Sequence, residues 1–218
     1  MPLQGNGILV TSMNVAPDHD EEFNDWYDRE HLEERVSIPG FLNARRYQSR
    51  DAKRRYFATY TTENFETLTG PAYKAALANQ TPWSLTNIDR QVDPLRILGR
   101  VEMCAGAGRG AALGVVRIDF NAMGQDMLRT EVADLLQTLA RTRHVLGASL
   151  IVPDVQLSIP IANGKPDDPD HSQWLILVES SSESVLQKLL RSPSFAAAHY
   201  TRKEQYALLW DLGKDELN

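Results

Sequence analysis

The segment Tyr56-Phe-Ala-Thr-Tyr-Thr-Thr-Glu-Asn-Phe-Glu-Thr-Leu68 has a counterpart in Trp174-Leu-Ile-Leu-Val-Glu-Ser-Ser-Ser-Glu-Ser-Val-Leu186. In each, a run of aromatic, aliphatic and β-branched residues passes into polar residues, which predicts a strand followed by a helix. Pro71-Ala-Tyr-Lys-Ala-Ala76 is then matched by Pro193-Ser-Phe-Ala-Ala-Ala198. This correspondence indicates that the chain contains the same unit twice.

Each copy follows the order β-α-β-β-α-β. The first copy has predicted strands at 8–14, 41–48, 56–61 and 91–102, and predicted helices at 18–38 and 64–79. The second copy has predicted strands at 112–120, 146–152, 174–179 and 206–212, and predicted helices at 125–143 and 182–190. The predicted fold class is α+β, with two tandem ferredoxin-like repeats. Each sheet carries helices on one face, and the other repeat is the obvious cover for the opposite face.

Between the copies lies Ala105-Gly-Ala-Gly-Arg-Gly-Ala-Ala112, a stretch with few side chains to pack. Such a composition is typical of a flexible linker. We therefore predict a first repeat at 1–104, a linker at 105–111 and a second repeat at 112–218.

The first helix carries ionisable groups on its apolar side. Asp18 and Glu21 can form a capping box at its start, and Pro39-Gly40 ends it. At about 100° per residue, the following side chains share one face: Phe23, Trp26, Tyr27, Glu30, His31, Glu34 and Ile38. Val36 points elsewhere in this scheme. Burying an unpaired carboxylate or imidazole costs on the order of several kcal/mol, so the pattern indicates a lined cavity.

Composition excludes several functional classes. The 218 residues carry a net charge of -6, which gives no electrostatic attraction to nucleic acid or anionic membranes. The lone Cys104 allows no intrachain disulfide and favours a reducing compartment. The N-terminal sequence has no signal-peptide pattern, and no apolar run approaches the ~18 residues of a membrane span. We expect a cytoplasmic protein.

A longer motif resembles a known family. The run Phe23-Asn-Asp-Trp-Tyr-Asp-Arg-Glu-His-Leu32, followed by Ile38-Pro-Gly-Phe41 and Arg45-Arg-Tyr47, is similar to the EthD-like group of the dimeric α/β-barrel superfamily. The resemblance implies that one chain mimics a dimer of ferredoxin-like units, with a pocket between sheet and helices. The superfamily includes cofactor-free monooxygenases, lactone isomerases, aldoxime dehydratases and haem enzymes, so it does not choose a reaction.

The two repeats differ in the helix that carries this motif. The equivalent helix of the second repeat, which begins at Gln125, has Leu, Val and Ala in place of the aromatic and imidazole set. We therefore expect the second repeat to be structural and any pocket to belong to the first.

His31 is the candidate general acid or base, because its unperturbed pKa of about 6.5 suits proton transfer near neutral pH. Glu30 is predicted to share or orient its proton. Glu30 and Glu34 lie one turn apart, so each should raise the pKa of the other. The alternative is structural: a histidine bonded to backbone, and glutamates paired with arginines at the helix rim.

Several residues are candidates for binding a flat or apolar ligand. The aromatic side chains of the helix can shape the pocket, although ordinary core packing explains them equally well. Alternation along the strands does not decide which face each polar side chain joins. The predicted substrate-binding residues are Phe23, Trp26, Tyr27, Glu34, Asn14, Arg45 and Tyr60.

We predict no metal and no cofactor. His31 and Glu34 have the spacing of two metal ligands, but no matching pair follows elsewhere. Superfamily relatives use a histidine to bind haem, and His144, His171 and His199 are available in the second repeat. None of these has the context of an axial ligand.

The sequence thus favours a small cofactor-independent enzyme that isomerises, dehydrates or otherwise moves a proton on an apolar carbonyl or aromatic catabolite. A cofactor-free monooxygenase is one alternative. The other is a non-catalytic protein that binds a small apolar or aromatic molecule or takes part in assembly, and homodimerisation is compatible with each of these.

Overall fold

A computed structural model describes residues 2–119, 124–158, 164–165 and 167–217. The strands are β1 (Gly7–Val15), β2 (Phe41–Gln48), β3 (Tyr56–Thr62), β4 (Gln91–Gly106), β5 (Ala112–Ile118), β6 (Val145–Pro153), β7 (Trp174–Ser180) and β8 (Tyr200–Gly213). The helices are α1 (Asp20–Trp26), α2 (Leu32–Ser37), α3 (Pro71–Ala78), α4 (Pro82–Asp89), α5 (Gln125–Ala140) and α6 (Glu183–Leu190). Across these ranges, no helix combines the length and hydropathy needed to cross a membrane.

The eight strands form one closed antiparallel barrel in the order β1-β3-β2-β8-β5-β7-β6-β4. Within each repeat the strands have the ferredoxin-like order, and the two sheets join where β2 pairs with β8 and β4 pairs with β6. Edge pairing leaves no unpaired strand in the sheet. The predicted α+β fold of two ferredoxin-like repeats in an intrachain barrel is confirmed.

Three apolar cores stabilise this arrangement. The barrel interior is filled by inward-facing side chains such as Ile8, Phe57 and Leu177. Outside the barrel, α1 to α4 pack on the first sheet, and α5 and α6 pack on the second. Because the interior is filled, a ligand would have to bind outside the barrel, and one cavity lies between the first sheet and its helices.

Buried charge pairs lie between the repeats. Arg45 Nη1 contacts both carboxylate oxygens of Glu179 at 3.0 Å. Arg45 Nη2 also donates to Gly110 O at 2.8 Å, and Gly110 N donates to Glu179 Oε2 at 2.9 Å. The residues predicted as a linker, 105–111, therefore begin inside β4 and are anchored at Gly110.

The predicted capping box at the first helix is wrong. The helix is preceded by a short 3-10 turn at Pro17–His19, and no side chain caps either element. Asp20 uses its carboxylate differently, since Oδ1 accepts from the Tyr56 hydroxyl at 2.6 Å and from Arg55 at 3.0 Å. Asp20 thus links the start of α1 to Tyr56 of β3, a tertiary contact that sequence spacing alone could not indicate.

The predicted helix at 64–79 is also wrong in part. It is divided at Gly70, with a 3-10 turn at Phe65–Thr69 before α3 begins at Pro71. Helix α4 was not predicted at all, although Thr81-Pro82 is a standard start signal with Pro at the first helical position. Thr81 caps α4 by accepting a hydrogen bond from Ser84 N at 3.0 Å.

Some predicted ends in the second repeat also differ. The strand predicted at 112–120 ends at Ile118, and Phe120 lies outside the described residues. The helix predicted to reach 143 ends at Ala140, and the last strand begins at Tyr200 rather than 206.

Candidate functional site

A π turn at Tyr27–His31 joins α1 to α2. Leu32 N donates to Tyr27 O, five residues back. The wider turn holds one extra residue, so the side chains that follow are shifted relative to an uninterrupted α-helix. π turns of this kind occur frequently at functional sites.

Because of this shift, the helix face that packs on the sheet differs from the predicted one. Arg35 and Val36 are buried against the sheet, whereas Glu34 is half-buried. The prediction that Val36 points away from the core is therefore wrong. The residue brought into the site by the shift is Arg35.

A cavity of about 330 Å³ lies between the helical segment formed by α1, the π turn and α2, the helices α3 and α4, and the outer face of the first sheet. Its volume is at the lower end of the range for ligand pockets, roughly 300–1,000 Å³. Three predicted site residues line it, namely Tyr27, His31 and Tyr60. The other lining residues are Leu9, Thr11, Met13, Arg35, Tyr73, Leu77, Gln80, Leu85, Ile88, Gln91, Pro94, Leu95 and Arg96.

His31 is held by aromatic contacts. Its ring stacks on Trp26 with centroids 4.2 Å apart and meets the edge of Tyr27 at 5.0 Å. Burial, together with the charges of Arg35 and Arg46, lowers the pKa of His31 well below its usual value. The imidazole is therefore neutral at pH 7.

The two ring nitrogens of His31 have different surroundings. Nδ1 is buried, makes no hydrogen bond within the described structure, and lies 4.0 Å from Glu34 Oε2. A carboxylate on this side favours the tautomer that carries the proton on Nδ1. Nε2 is then the unprotonated nitrogen and the one available to a ligand.

Two further residues of the cavity wall, Tyr60 and Thr11, have buried hydroxyl groups. The Tyr60 hydroxyl is buried beside Tyr27 and has no partner at normal hydrogen-bond geometry in the part of the chain that is described. Burial and the neighbouring Tyr27 raise the pKa of Tyr60 well above its usual value, so it remains a neutral donor. Thr11 Oγ1 is likewise buried and without a partner among these residues.

Glu30 and Glu34 lie behind the cavity and contact α4. Glu30 Oε1 accepts from Thr81 Oγ1 at 2.6 Å and from Ser84 Oγ at 3.0 Å. Ser84 Oγ also accepts from Trp26 Nε1 at 3.0 Å and lies 3.4 Å from Glu34 Oε2. Burial and the charge of Glu30 raise the pKa of Glu34, the direction that the one-turn spacing predicts.

The remaining predicted binding residues do not line the cavity. Phe23 and Trp26 are fully buried in the core behind the π turn. Asn14 binds the loop between β2 and β3, since its Oδ1 accepts from Arg55 N at 2.7 Å and its Nδ2 donates to Lys53 O at 3.1 Å. Arg45 points into the end of the barrel, as described above.

The histidines considered as haem ligands in the second repeat have other contacts. Both ring nitrogens of His171 lie against backbone carbonyls, at 3.3 and 3.2 Å. His199 Nε2 lies 2.9 Å from Glu131 Oε1, and His144 is exposed at a turn. These surroundings do not fit an axial ligand. Within the described ranges, no three His, Cys, Asp or Glu side chains are grouped as metal ligands.

The sequence matches no protein-family model and no curated protein. Solved structures share its architecture at low sequence identity. One is a proposed monooxygenase from Fusobacterium nucleatum, with TM-score 0.62 and 10% identity over 97% of this chain and 95% of that chain. Another is an anthrone oxidase-like protein, with TM-score 0.64 and 9% identity over 98% and 95%.

A third structure is a haem-binding protein from Thermus thermophilus, with TM-score 0.50 and 14% identity over 95% of this chain and 92% of that chain. The chain has the dimeric α/β-barrel fold. At these identities the comparisons show the fold alone, and the chemistry rests on the side chains of this chain.

Proposed function

We propose that this protein is a cofactor-independent enzyme of the EthD-like type, which moves a proton on a small apolar carbonyl or aromatic compound. The observation that supports this most directly is a neutral, buried His31 that lines a largely apolar cavity beside an unbonded Tyr60 hydroxyl. A neutral imidazole is a competent base at pH 7, and a neutral phenol is a competent hydrogen-bond donor.

The proposed step begins with His31 Nε2, which removes a proton from the carbon next to a carbonyl group. The electron pair of the broken C–H bond moves onto the carbonyl oxygen, and the Tyr60 hydroxyl donates to that oxyanion. Return of the proton from the imidazolium to another carbon isomerises the substrate. If that proton is instead given to a hydroxyl group on the β-carbon, the C–O bond breaks, water leaves and the neutral imidazole is restored. Glu34 stabilises the imidazolium that forms, because it faces Nδ1 at 4.0 Å.

Glu30 has a different role in this proposal. Its carboxylate is bonded to Thr81 and Ser84 of the α4 N-terminus, not to His31. We assign it the positioning of α4, whose Leu85 and Ile88 form part of the cavity wall. Proton sharing with His31 is better assigned to Glu34.

The second candidate function is cofactor-free oxygenation. The solved structures with this fold include a proposed monooxygenase and an anthrone oxidase-like protein. The same base would deprotonate a phenol-like substrate, and the resulting electron-rich anion would reduce dioxygen directly. A purely structural role for the helix would not require a cavity beside His31. The presence of that cavity supports the binding of a small molecule.

The cytoplasmic location and the possible homodimer stay predictions.

Anthrone is a suitable first probe, because its methylene group is acidic and its anion reacts with oxygen. We expect the protein to accelerate exchange of the methylene protons in D2O under argon, followed by NMR, or to consume oxygen in air. A cyclic β-diketone and an unsaturated γ-lactone, the latter with and without a carboxylate side chain, extend the panel. We expect His31→Gln to lower the accelerated rate at least about 100-fold with an unchanged circular dichroism spectrum.

His144→Asn is the matched control, since His144 is exposed and its φ of 70° suits asparagine. It should retain the wild-type rate. Exchange without oxygen uptake supports proton transfer as the function, and oxygen uptake that depends on His31 supports oxygenation. Equal rates for wild type and His31→Gln, or no acceleration with any member of the panel, would contradict both candidates.

A further inference from the structure

We infer that the ligand of this cavity is an organic carboxylate with an apolar body, and that Arg35 binds its carboxylate group. The inference rests on the proposed function, because it names the substrate class of the same site.

The cavity wall is cationic. Arg35 and Arg96 both line it, no Asp or Glu does, and His31 is neutral. Arg96 donates to Leu157 O at 2.9 Å and contacts the Tyr73 hydroxyl at 3.5 Å, both uncharged groups. In the described ranges, no Asp or Glu carboxylate lies within 4 Å of either guanidinium.

Arg35 differs from the other buried arginines of the described chain. Each of the others forms an ion pair: Arg45 with Glu179 at 3.0 Å, Arg46 with Asp28 at 2.9 Å, Arg54 with Asp170 at 2.6 Å and Arg117 with Glu204 at 3.9 Å. Arg35 is only 5% exposed and has neither an ion pair within 4 Å nor a side-chain hydrogen bond among the described residues, although its charge opposes the rise in the pKa of Glu34. A buried charge without a partner is costly, so the missing partner is expected to come from outside the chain.

The partner should be a permanent anion. A transient oxyanion would compensate the guanidinium only during the reaction, whereas a carboxylate compensates it in the bound ground state. The planar fork of arginine donors matches a carboxylate bidentately. The walls formed by Leu9, Met13, Leu77 and Ile88 leave room for an apolar body but for few further polar groups.

The sheet register places additional donors on the cavity floor. Thr11 of β1 is opposite Arg96 of β4, and the neighbouring Leu9 is opposite Tyr60 of β3. The unbonded Thr11 hydroxyl therefore lies beside the second cation. A carboxylate bound at Arg35 would also neutralise a charge that lowers the pKa of His31. Binding should consequently raise that pKa and make the imidazole a stronger base.

Matched acids and amides test the inference by calorimetry, with benzoate, 2-naphthoate, benzamide and 2-naphthamide as probes. We expect the wild-type protein to bind at least one acid about tenfold or more tightly than its amide. Arg35→Met should weaken binding of that acid at least about tenfold and leave the amide unchanged. Arg35→Lys should recover only part of the affinity, because lysine lacks the bidentate fork.

Arg29→Met is the control for net charge, since Arg29 belongs to the same helix and its side chain is 73% exposed. It should bind the acid as wild type does. A second readout is the pKa of His31 by NMR, which the acid should raise in wild type and not in Arg35→Met. If Arg35→Met does not fold, the acid and amide comparison in wild type and the NMR titration decide the question.

Three results would overturn the inference: amides that bind as tightly as acids, equal effects of Arg35→Met and Arg29→Met, or 2-naphthyl phosphate that binds tenfold more tightly than 2-naphthoate. No binding of any probe at millimolar concentration would also overturn it. The His31→Gln protein separates this inference from the proposed function. If it binds the acid normally but keeps full activity, the base assignment fails while the carboxylate site remains.

Discussion

At the scale of the residue, His31 combines two properties that are usually opposed. It is almost completely buried, yet one ring nitrogen is left for a ligand, because Nδ1 is turned toward Glu34. Arg35 lies close enough to lower the pKa of His31 and makes no ion pair within 4 Å among the described residues. The two residues therefore form an electrostatic unit that stays incomplete until an anion binds.

The lowered pKa of His31 predicts a pH-dependent stability. Below about pH 6.5 the unfolded chain protonates this histidine, whereas the folded protein does not, so the unfolded state binds more protons. The free energy of unfolding therefore falls as the pH decreases. Between pH 7.5 and 5.0 we expect wild type to lose more stability than His31→Gln. Urea denaturation at several pH values measures the difference.

The comparison with His31→Gln removes the contributions of other groups, such as the carboxylates whose pKa values are lowered by arginines. Both proteins share those groups. Parallel stability curves for the two proteins would show that His31 titrates normally in the folded state and is not buried as described.

Some residues of the cavity could be predicted from the sequence, whereas Arg35 could not. Three of the residues selected by type and spacing, His31, Tyr27 and Tyr60, line one cavity. Arg35 was missed because a helical wheel assumes a constant angle per residue, and a single π turn breaks that assumption. The π turn has no sequence signature as strong as a cap or a proline, so only the structure reveals it.

At the scale of the element, α4 depends on a small polar network. Trp26 is fully buried, and its indole N–H donates to Ser84 Oγ. We expect Ser84→Ala to lower the free energy of unfolding by about 1–3 kcal/mol, because it leaves that donor unsatisfied and removes a partner of Glu30. Urea denaturation at pH 7 gives the value.

Thr86→Ala on the same helix is the control, because the Thr86 hydroxyl only bonds back to Pro82 O within the helix. It should change stability by no more than about 0.5 kcal/mol. Equal effects of Ser84→Ala and Thr86→Ala would mean that the network does not hold α4. A lower affinity for 2-naphthoate in Ser84→Ala alone would additionally link the network to the cavity wall.

The elements of the barrel were largely predictable, whereas the helices of the first repeat were less so. Strand β2 has the predicted ends, because alternation and turn residues define strands locally. The break at Gly70 and the start of α4 at Pro82 depend on caps that were not recognised in the sequence. Helices α3 and α4 form one side of the cavity. The shape of the site therefore could not be predicted from the sequence either.

At the scale of the whole molecule, the two repeats act as one barrel. Arg45 and Arg46 are adjacent on β2, and alternation sends one to each face of the sheet. Arg46 packs over the ring of Tyr27 at 4.4 Å, whereas Arg45 crosses the barrel end to Glu179 of the other repeat. The sequence could not decide which arginine faced the helices, and so Arg45 was misassigned to ligand binding.

The pair between Arg45 and Glu179 predicts how strongly the repeats are coupled. Removing one partner leaves a buried charge, so Arg45→Met should lower the free energy of unfolding at pH 7 by about 3–5 kcal/mol. Burial already raises the pKa of Glu179, and loss of Arg45 raises it further. Protonation of Glu179 as the pH falls should therefore make the loss relative to wild type smaller at pH 5 than at pH 7. The double variant Arg45→Met, Glu179→Leu should recover most of the stability, because no buried charge remains.

The exposed Arg29→Met variant is the control and should lose less than about 1 kcal/mol at either pH. Denaturant unfolding of the four proteins at both pH values measures the free energy of unfolding. A loss for Arg45→Met that is as small as for Arg29→Met would show that the repeats are held together by strand pairing alone.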